Sequence, residues 1–272
     1  MRRLCHLVGT IIAVTTLVTG FVCAATAAEP VDVELVLAVD VSLSMSHDEL
    51  DIQREGYAAA LLDKAVLDAI AAGPHGKIAI TYFEWAGTGS HQLVVPWTVI
   101  SNREDAEAVV SMLTKYPPAS ARRTSISGAL EFGADLIAES PFSSAKRVID
   151  ISGDGPNNQG APVLEVRDRL VGQGIIINGL PLITNGGYSN AYDVSDLDTY
   201  YSNCVIGGPG AFVIPVNAWE QFPEAIRRKL VLELAFKQRH DLPLIRVQAN
   251  QAYDCLIGEK MWRSRSWMWD SR

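Results

Sequence analysis

Short apolar runs of strand character alternate along this chain with longer stretches of helical periodicity. Residues 34–39 are apolar and β-branched after Glu34, a run too short for a helix and typical of a strand buried on both faces. Residues 48–72 read as a helix, with Ile52, Tyr57, Ala60, Leu61, Leu67 and Ile70 apolar and Gly73-Pro74 as the stop. Strands are predicted over 77–85 and 92–97, and Gly87-Thr88-Gly89 between them reads as a hairpin turn, making that pair antiparallel. A helix over 103–115, capped by Ser101 or Asn102, ends at Pro117-Pro118. Further on come a helix over 124–138, a buried-type strand over 147–151, a helix over 162–172 and a strand over 175–182. Residues 184–190 read as a loop, 198–203 as a short helix, 211–214 as a last strand and 218–236 as the closing helix. Strands separated by helices imply βαβ units. The expected fold class is α/β: a three-layer, doubly wound, mainly parallel sheet with one antiparallel edge strand.

The two ends of the chain break this rhythm. Arg2 and Arg3 are followed by no charged residue until Glu29, and the apolar stretch ends in Ala25-Thr-Ala27. That order describes a secretory signal peptide over 1–28 and a periplasmic or secreted protein, with a retained membrane anchor as the alternative. Residues 237–272 carry little periodicity and finish with Trp262, Trp267 and Trp269 among arginines. They read either as a tail that lays its aromatics on the domain or as a segment for a membrane surface or a partner. The domain itself is then 32–236.

Charge and cysteines narrow the picture. The net charge is −8, and −10 once 1–28 and their two arginines are removed. Phosphate binding needs a basic patch, so a nucleic-acid partner is not expected. Cys5 and Cys23 fall in the signal segment, which leaves Cys204 and Cys255. In an exported chain these two have one intramolecular pairing, a disulfide that would pin the tail.

The candidate chemistry lies at strand ends. Asp40-Val-Ser42-Leu-Ser44 follows the first strand, at the edge where open α/β sheets place ligands. Its hard oxygen donors suit Mg²⁺, Mn²⁺ or Ca²⁺ and not zinc or copper. A helix cap competes as an explanation: Ser44 or Ser46 as N-cap, with Asp48 or Glu49 in the first turn. Two more loops would converge on the same edge of a parallel sheet. One carries Thr124 in Arg123-Thr-Ser-Ile-Ser-Gly-Ala-Leu130, the other Asp154 in Ile149-Asp-Ile-Ser-Gly-Asp-Gly155.

These three elements, in this order, resemble the von Willebrand factor type A domain and its metal-ion-dependent adhesion site. Asp40, Ser42 and Ser44 match that family's Asp-x-Ser-x-Ser, Thr124 its later threonine, and Asp154-Gly155 its Asp-Gly. The resemblance spans about residues 32–236. It implies metal ligation by Asp40, Ser42, Ser44, Thr124 and Asp154, most simply of Mg²⁺, with an open position for a carboxylate of a protein partner. Longer strings, among them Glu84-Trp-Ala-Gly87 and Cys204-Val-Ile-Gly-Gly-Pro-Gly-Ala-Phe212, resemble a family of exported bacterial proteins without an assigned function.

Other residues carry two readings each. Glu84 and Trp85, at a strand end, and Arg123, beside Thr124, are candidate recognition residues; packing and solvation are the alternatives. Asp150 reads as a structural hydrogen-bonding group or a group behind the metal site, and Asn157 and Asn158 as turn formers. Asp193, Asp196 and Asp198 hint at a calcium loop, against Asp198 as a plain helix N-cap. The leading function is an adhesion-type binding module and not an enzyme. A metal-dependent hydrolase has poor support, with no Gly-x-Ser-x-Gly elbow and no His paired with a nucleophile. A metal-free scaffold is the third reading.

Overall fold

The computed structural model describes residues 28–184, 194–235 and 253–270, the last six without their side chains. Its strands are β1 (Glu29–Pro30), β2 (Val33–Asp40), β3 (Ile78–Trp85), β4 (His91–Ile100), β5 (Phe142–Ser143), β6 (Lys146–Gly153) and β7 (Ile175–Pro181). Its helices are α1 (His47–Leu61), α2 (Lys64–Ala71), α3 (Arg103–Leu113), α4 (Ile126–Ala138), α5 (Val163–Gly172), α6 (Leu197–Tyr200), α7 (Phe222–Leu234) and α8 (Ile257–Asp270). A π-helical turn, Tyr201–Val205, continues α6.

The main sheet has the order β4-β3-β2-β6-β7, parallel throughout except for the antiparallel β3–β4 edge pair. Every residue of β2 and β3 is buried, as expected of parallel strands covered on both faces. Alternate residues of β2 serve two cores. Val33, Leu35, Leu37 and Val39 pack with Leu50 and Tyr57 of α1, Val66 of α2 and Leu230 of α7. Val36 and Ala38 pack with Ile126 and Leu130 of α4 and Val166 of α5. The sheet is thus the middle of three layers, and the expected fold class is present.

Three elements differ from the sequence pattern. The helix predicted over 48–72 is two helices, because Asp63 turns its carboxylate onto the Ala65 N–H at 2.7 Å and caps a new start. The strand predicted over 211–214 is reduced to one isolated bridge, Gly179 with Val213, and a second, Leu182 with Val216, falls just past it. Pro209 and Pro215 flank this stretch and offer no N–H to a ladder. The tail's described end is helical, and Cys204 and Cys255 are joined in a disulfide with Cα atoms 5.5 Å apart. Closing a loop of 51 residues contributes on the order of 4 kcal/mol in the chain-entropy picture. Residues 1–27 of the predicted signal, most of the 184–190 loop, Asp193 and residues 236–252 lie outside the described residues. Among the described residues no helix is long and apolar enough to cross a membrane.

Candidate metal site

β2 and β6 are neighbours, with Val39 opposite Ser152. Their carboxyl ends therefore deliver Asp40 and Asp154 to adjacent points of the same sheet edge. The expected helix cap is present, formed by Ser46 and not by Ser44. The Ser46 hydroxyl accepts the Glu49 N–H and Glu49 returns a bond to the Ser46 N–H, a complete capping box. Ser42 and Ser44 are left for other work. The Ser42 N–H donates to Asp40 Oδ1 at 2.8 Å, the Ser42 and Ser44 hydroxyls lie 2.9 Å apart, and the Ser42 hydroxyl donates to Asp154 Oδ1 at 3.5 Å. Leu43 between them stays 57 % exposed.

The loop that carries Thr124 is tied to these loops at two points. The backbone before Thr124 runs beside the Asp40 loop, where the Leu43 N–H donates to the Ala121 carbonyl at 2.9 Å. After it, the Thr124 N–H donates to Asn158 Oδ1 at 3.0 Å, and the Asn158 N–H donates back to the Thr124 carbonyl at 2.9 Å. Asn157 and Asn158, read as turn formers, thus staple two of the loops together. Asn157 Oδ1 also accepts the Ser127 N–H at 3.1 Å, at the start of α4. Gln53 was not singled out by the sequence, yet its Nε2 donates to the Asp40 carbonyl at 3.2 Å. Only the folded path of α1 could have revealed it.

The charge balance at Asp40 is unusual. Its carboxyl is fully buried and held well above the usual carboxylate range, first by desolvation and then by the negative Asp154. Bonds from Ser42 and from the Asp154 N–H offset this only in part. Oδ2 of Asp40 has no hydrogen-bond partner among the described residues. A Cβ on Gly153 would stand 2.9 Å from that oxygen and 2.8 Å from the Tyr201 hydroxyl, so glycine keeps this space open. Among the described residues no three His, Cys, Asp or Glu side chains gather as a metal-ligating group. The donors expected from the sequence are two carboxylates and three hydroxyls. All are hard oxygens, and an unmet, charge-crowded carboxylate oxygen among them fits a divalent cation of the Mg²⁺ or Ca²⁺ kind.

The candidate recognition residues fare differently. Glu84 and Trp85 are not at the surface: they are 2 % and 0 % exposed. β3 is covered on both faces, so its last residues point into packed layers. Glu84 pairs with Arg54 at 2.7 Å, and Trp85 packs with Phe83 and Ile126. Arg123 does stand at the rim. Its backbone is left-handed, with φ 78°, and its guanidinium carbon lies 3.2 Å from the centre of the Trp262 ring. Asp150 turns into the core and pairs with Lys229 at 2.9 Å. The N-cap position of α6 is Asp196 and not Asp198, and it makes no side-chain capping bond.

A family model described as "Protein of unknown function (DUF1194)" matches residues 30–238. No curated protein matches the chain. Among solved structures, the pilus adhesin SpaC from Lactobacillus rhamnosus GG is similar at 12 % identity and TM-score 0.55, over 75 % of this chain and 31 % of that one. Proximal thread matrix protein 1 from the mussel byssus, with a zinc-occupied MIDAS motif, is similar at 14 % identity and TM-score 0.50, over 75 % of this chain and 46 % of that one. This chain therefore spans less than half the length of either neighbour. At such identities the likeness is one of fold, the von Willebrand A-type α/β sandwich.

Proposed function

The chain belongs to the DUF1194 family, and within that family we propose that it is an exported, metal-dependent protein-binding module of the adhesion type. Asp40, Ser42, Ser44, Thr124 and Asp154 would hold the ion, Mg²⁺ most simply, with Mn²⁺ or Ca²⁺ as substitutes. The observation that carries this reading is the buried Asp40 Oδ2, without a partner and beside Asp154. When bound, the cation would neutralise these two carboxylates and offer an open coordination position to an acidic side chain of a partner. The protein's own contribution is placement. Ser42 orients Asp40 through its N–H and links it to Asp154 through its hydroxyl. Asn158 sets Thr124 against the Asp154 loop. The adhesin and matrix-protein neighbours support binding over catalysis.

Calorimetric titration tests the reading. Mg²⁺, Mn²⁺ or Ca²⁺ should bind the wild type and not Asp40→Ala. If none of the three binds the wild type, the metal site is lost as an idea. Affinity capture from periplasmic extract, with and without EDTA, would then show whether a partner depends on the ion.

A further inference from the structure

The C-terminal segment reaches back to the loops that carry Thr124 and Asp154. Glu259 Oε1 accepts from Asn157 Nδ2 at 2.8 Å. Trp262 stacks under Arg123, the residue before Thr124, at a distance suited to a cation–π contact. A Cβ on Gly258 would run into the Asn157 carbonyl, so α8 starts in backbone contact with that loop. The disulfide ties this helix to the 197–205 segment. From that segment the Tyr200 hydroxyl accepts the Asn157 N–H at 3.1 Å, and the Tyr201 hydroxyl faces the same gap over Gly153 as Asp40 Oδ2. Helices of the domain already cover both faces of the sheet. These contacts instead grip its carboxyl edge.

We propose that α8 and the 197–205 segment form a disulfide-closed bracket that sets the positions of the Thr124 and Asp154 loops, with Glu259 and Trp262 as positioning residues for the divalent cation. This rests on the metal reading above. Asn157 is the pivot. It is bonded to Glu259 on one side and adjoins Asn158, the partner of Thr124, on the other. Loss of the bracket therefore shifts two donors together. Residues that hold metal ligands in place typically change metal affinity about 10–100-fold when removed.

The test is Mn²⁺ titration of the full domain with its tail, followed by electron paramagnetic resonance. The double variant Glu259→Ala/Trp262→Ala should bind Mn²⁺ at least about tenfold more weakly than wild type. The conservative pair Glu259→Gln/Trp262→Phe keeps an acceptor and a ring, and should restore most of the affinity. Both pairs should melt alike in EDTA, which a merely structural role would not explain once affinities differ. Wild-type affinity in the alanine pair overturns the proposal. If that pair does not fold, Trp262→Ala alone is read by the same criterion. Should the wild type bind no Mn²⁺, the metal reading fails by itself, and amide exchange in EDTA judges the bracket. Faster exchange at 123–128 and 154–160 in the variants supports it, and unchanged exchange overturns it.

Discussion

Asp150 and Asp40 are both fully buried carboxyls on adjacent strands of one sheet, and each has a second carboxylate close by. Asp150 shares its surroundings with Glu233, but Lys229 lies between, 2.9 Å from Asp150 and 2.7 Å from Glu233. Asn178 donates a further bond to Glu233 at 2.9 Å. Burial pulls the Lys229 ammonium toward the neutral form, but Asp150 and Glu233 outweigh it and raise its pKa. Asp40 has hydrogen bonds but, among the described residues, no ion pair, and Asp154 adds repulsion. One cluster has its cation built in. The other is the site proposed for a divalent cation. That contrast separates a structural ion cluster from a ligand site better than burial alone, since both are equally buried.

The largest test breaks the built-in cluster. Lys229→Met leaves Asp150 and Glu233 buried without their cation and should cost roughly 3–5 kcal/mol, read by urea unfolding. A cost below about 1 kcal/mol would mean that the two carboxyls simply take up protons, and the contrast with Asp40 would vanish.

The second test goes to the other cluster and should move stability the opposite way. In EDTA, Asp40→Asn removes a crowded buried charge, so the variant should be as stable as wild type or more so. With Mg²⁺ at a hundred times its dissociation constant, wild type should gain about 2.7 kcal/mol and the variant nothing. Both follow from thermal unfolding with and without the ion. A variant that is less stable in EDTA and still stabilised by Mg²⁺ would place the cation elsewhere.

Much of this architecture was legible beforehand. Buried strands announce themselves by apolar residues, unbroken over 35–39 and interrupted only by Asp150 over 148–151, and Gly-Thr-Gly announces the antiparallel edge. Asp40, Ser42, Ser44, Thr124 and Asp154 stood out because their spacing against strand ends is itself a pattern. What escaped was non-local. Asp63 gave no sign that its cap would split one apolar stripe into two helices. Trp85 looked available because strand ends often are. Its burial depends on the layers that close over β3. Glu259 lies 102 residues from Asn157, in a segment with little periodicity, and nothing short of the folded chain pairs them.

The last test concerns pH and reads the built-in cluster. Desolvation first, and Glu233 next, push Asp150 from 3.8 up to about 7, with Lys229 pulling back. Lys229 and Glu233 of α7, the Tyr57 phenol of α1 and the Tyr201 phenol are the titratable groups near it among the described residues. Between pH about 4 and about 7 the folded state then holds a proton that the unfolded chain has released. This contribution is complete below the unfolded value and is lost as pH rises through the folded one. The limiting slope is about 1.4 kcal/mol per pH unit for one group. Asp150→Asn should flatten the stability profile in that window, whereas Tyr57, raised well above its ordinary phenol value, stays protonated there in both proteins. Comparing the two profiles cancels whatever Asp40 adds, because Asp40 is present in each. Parallel profiles from pH 4 to 7 would mean that Lys229 keeps Asp150 ionised throughout. The built-in cation would then be stronger than the burial around it, and the contrast with Asp40 sharper still.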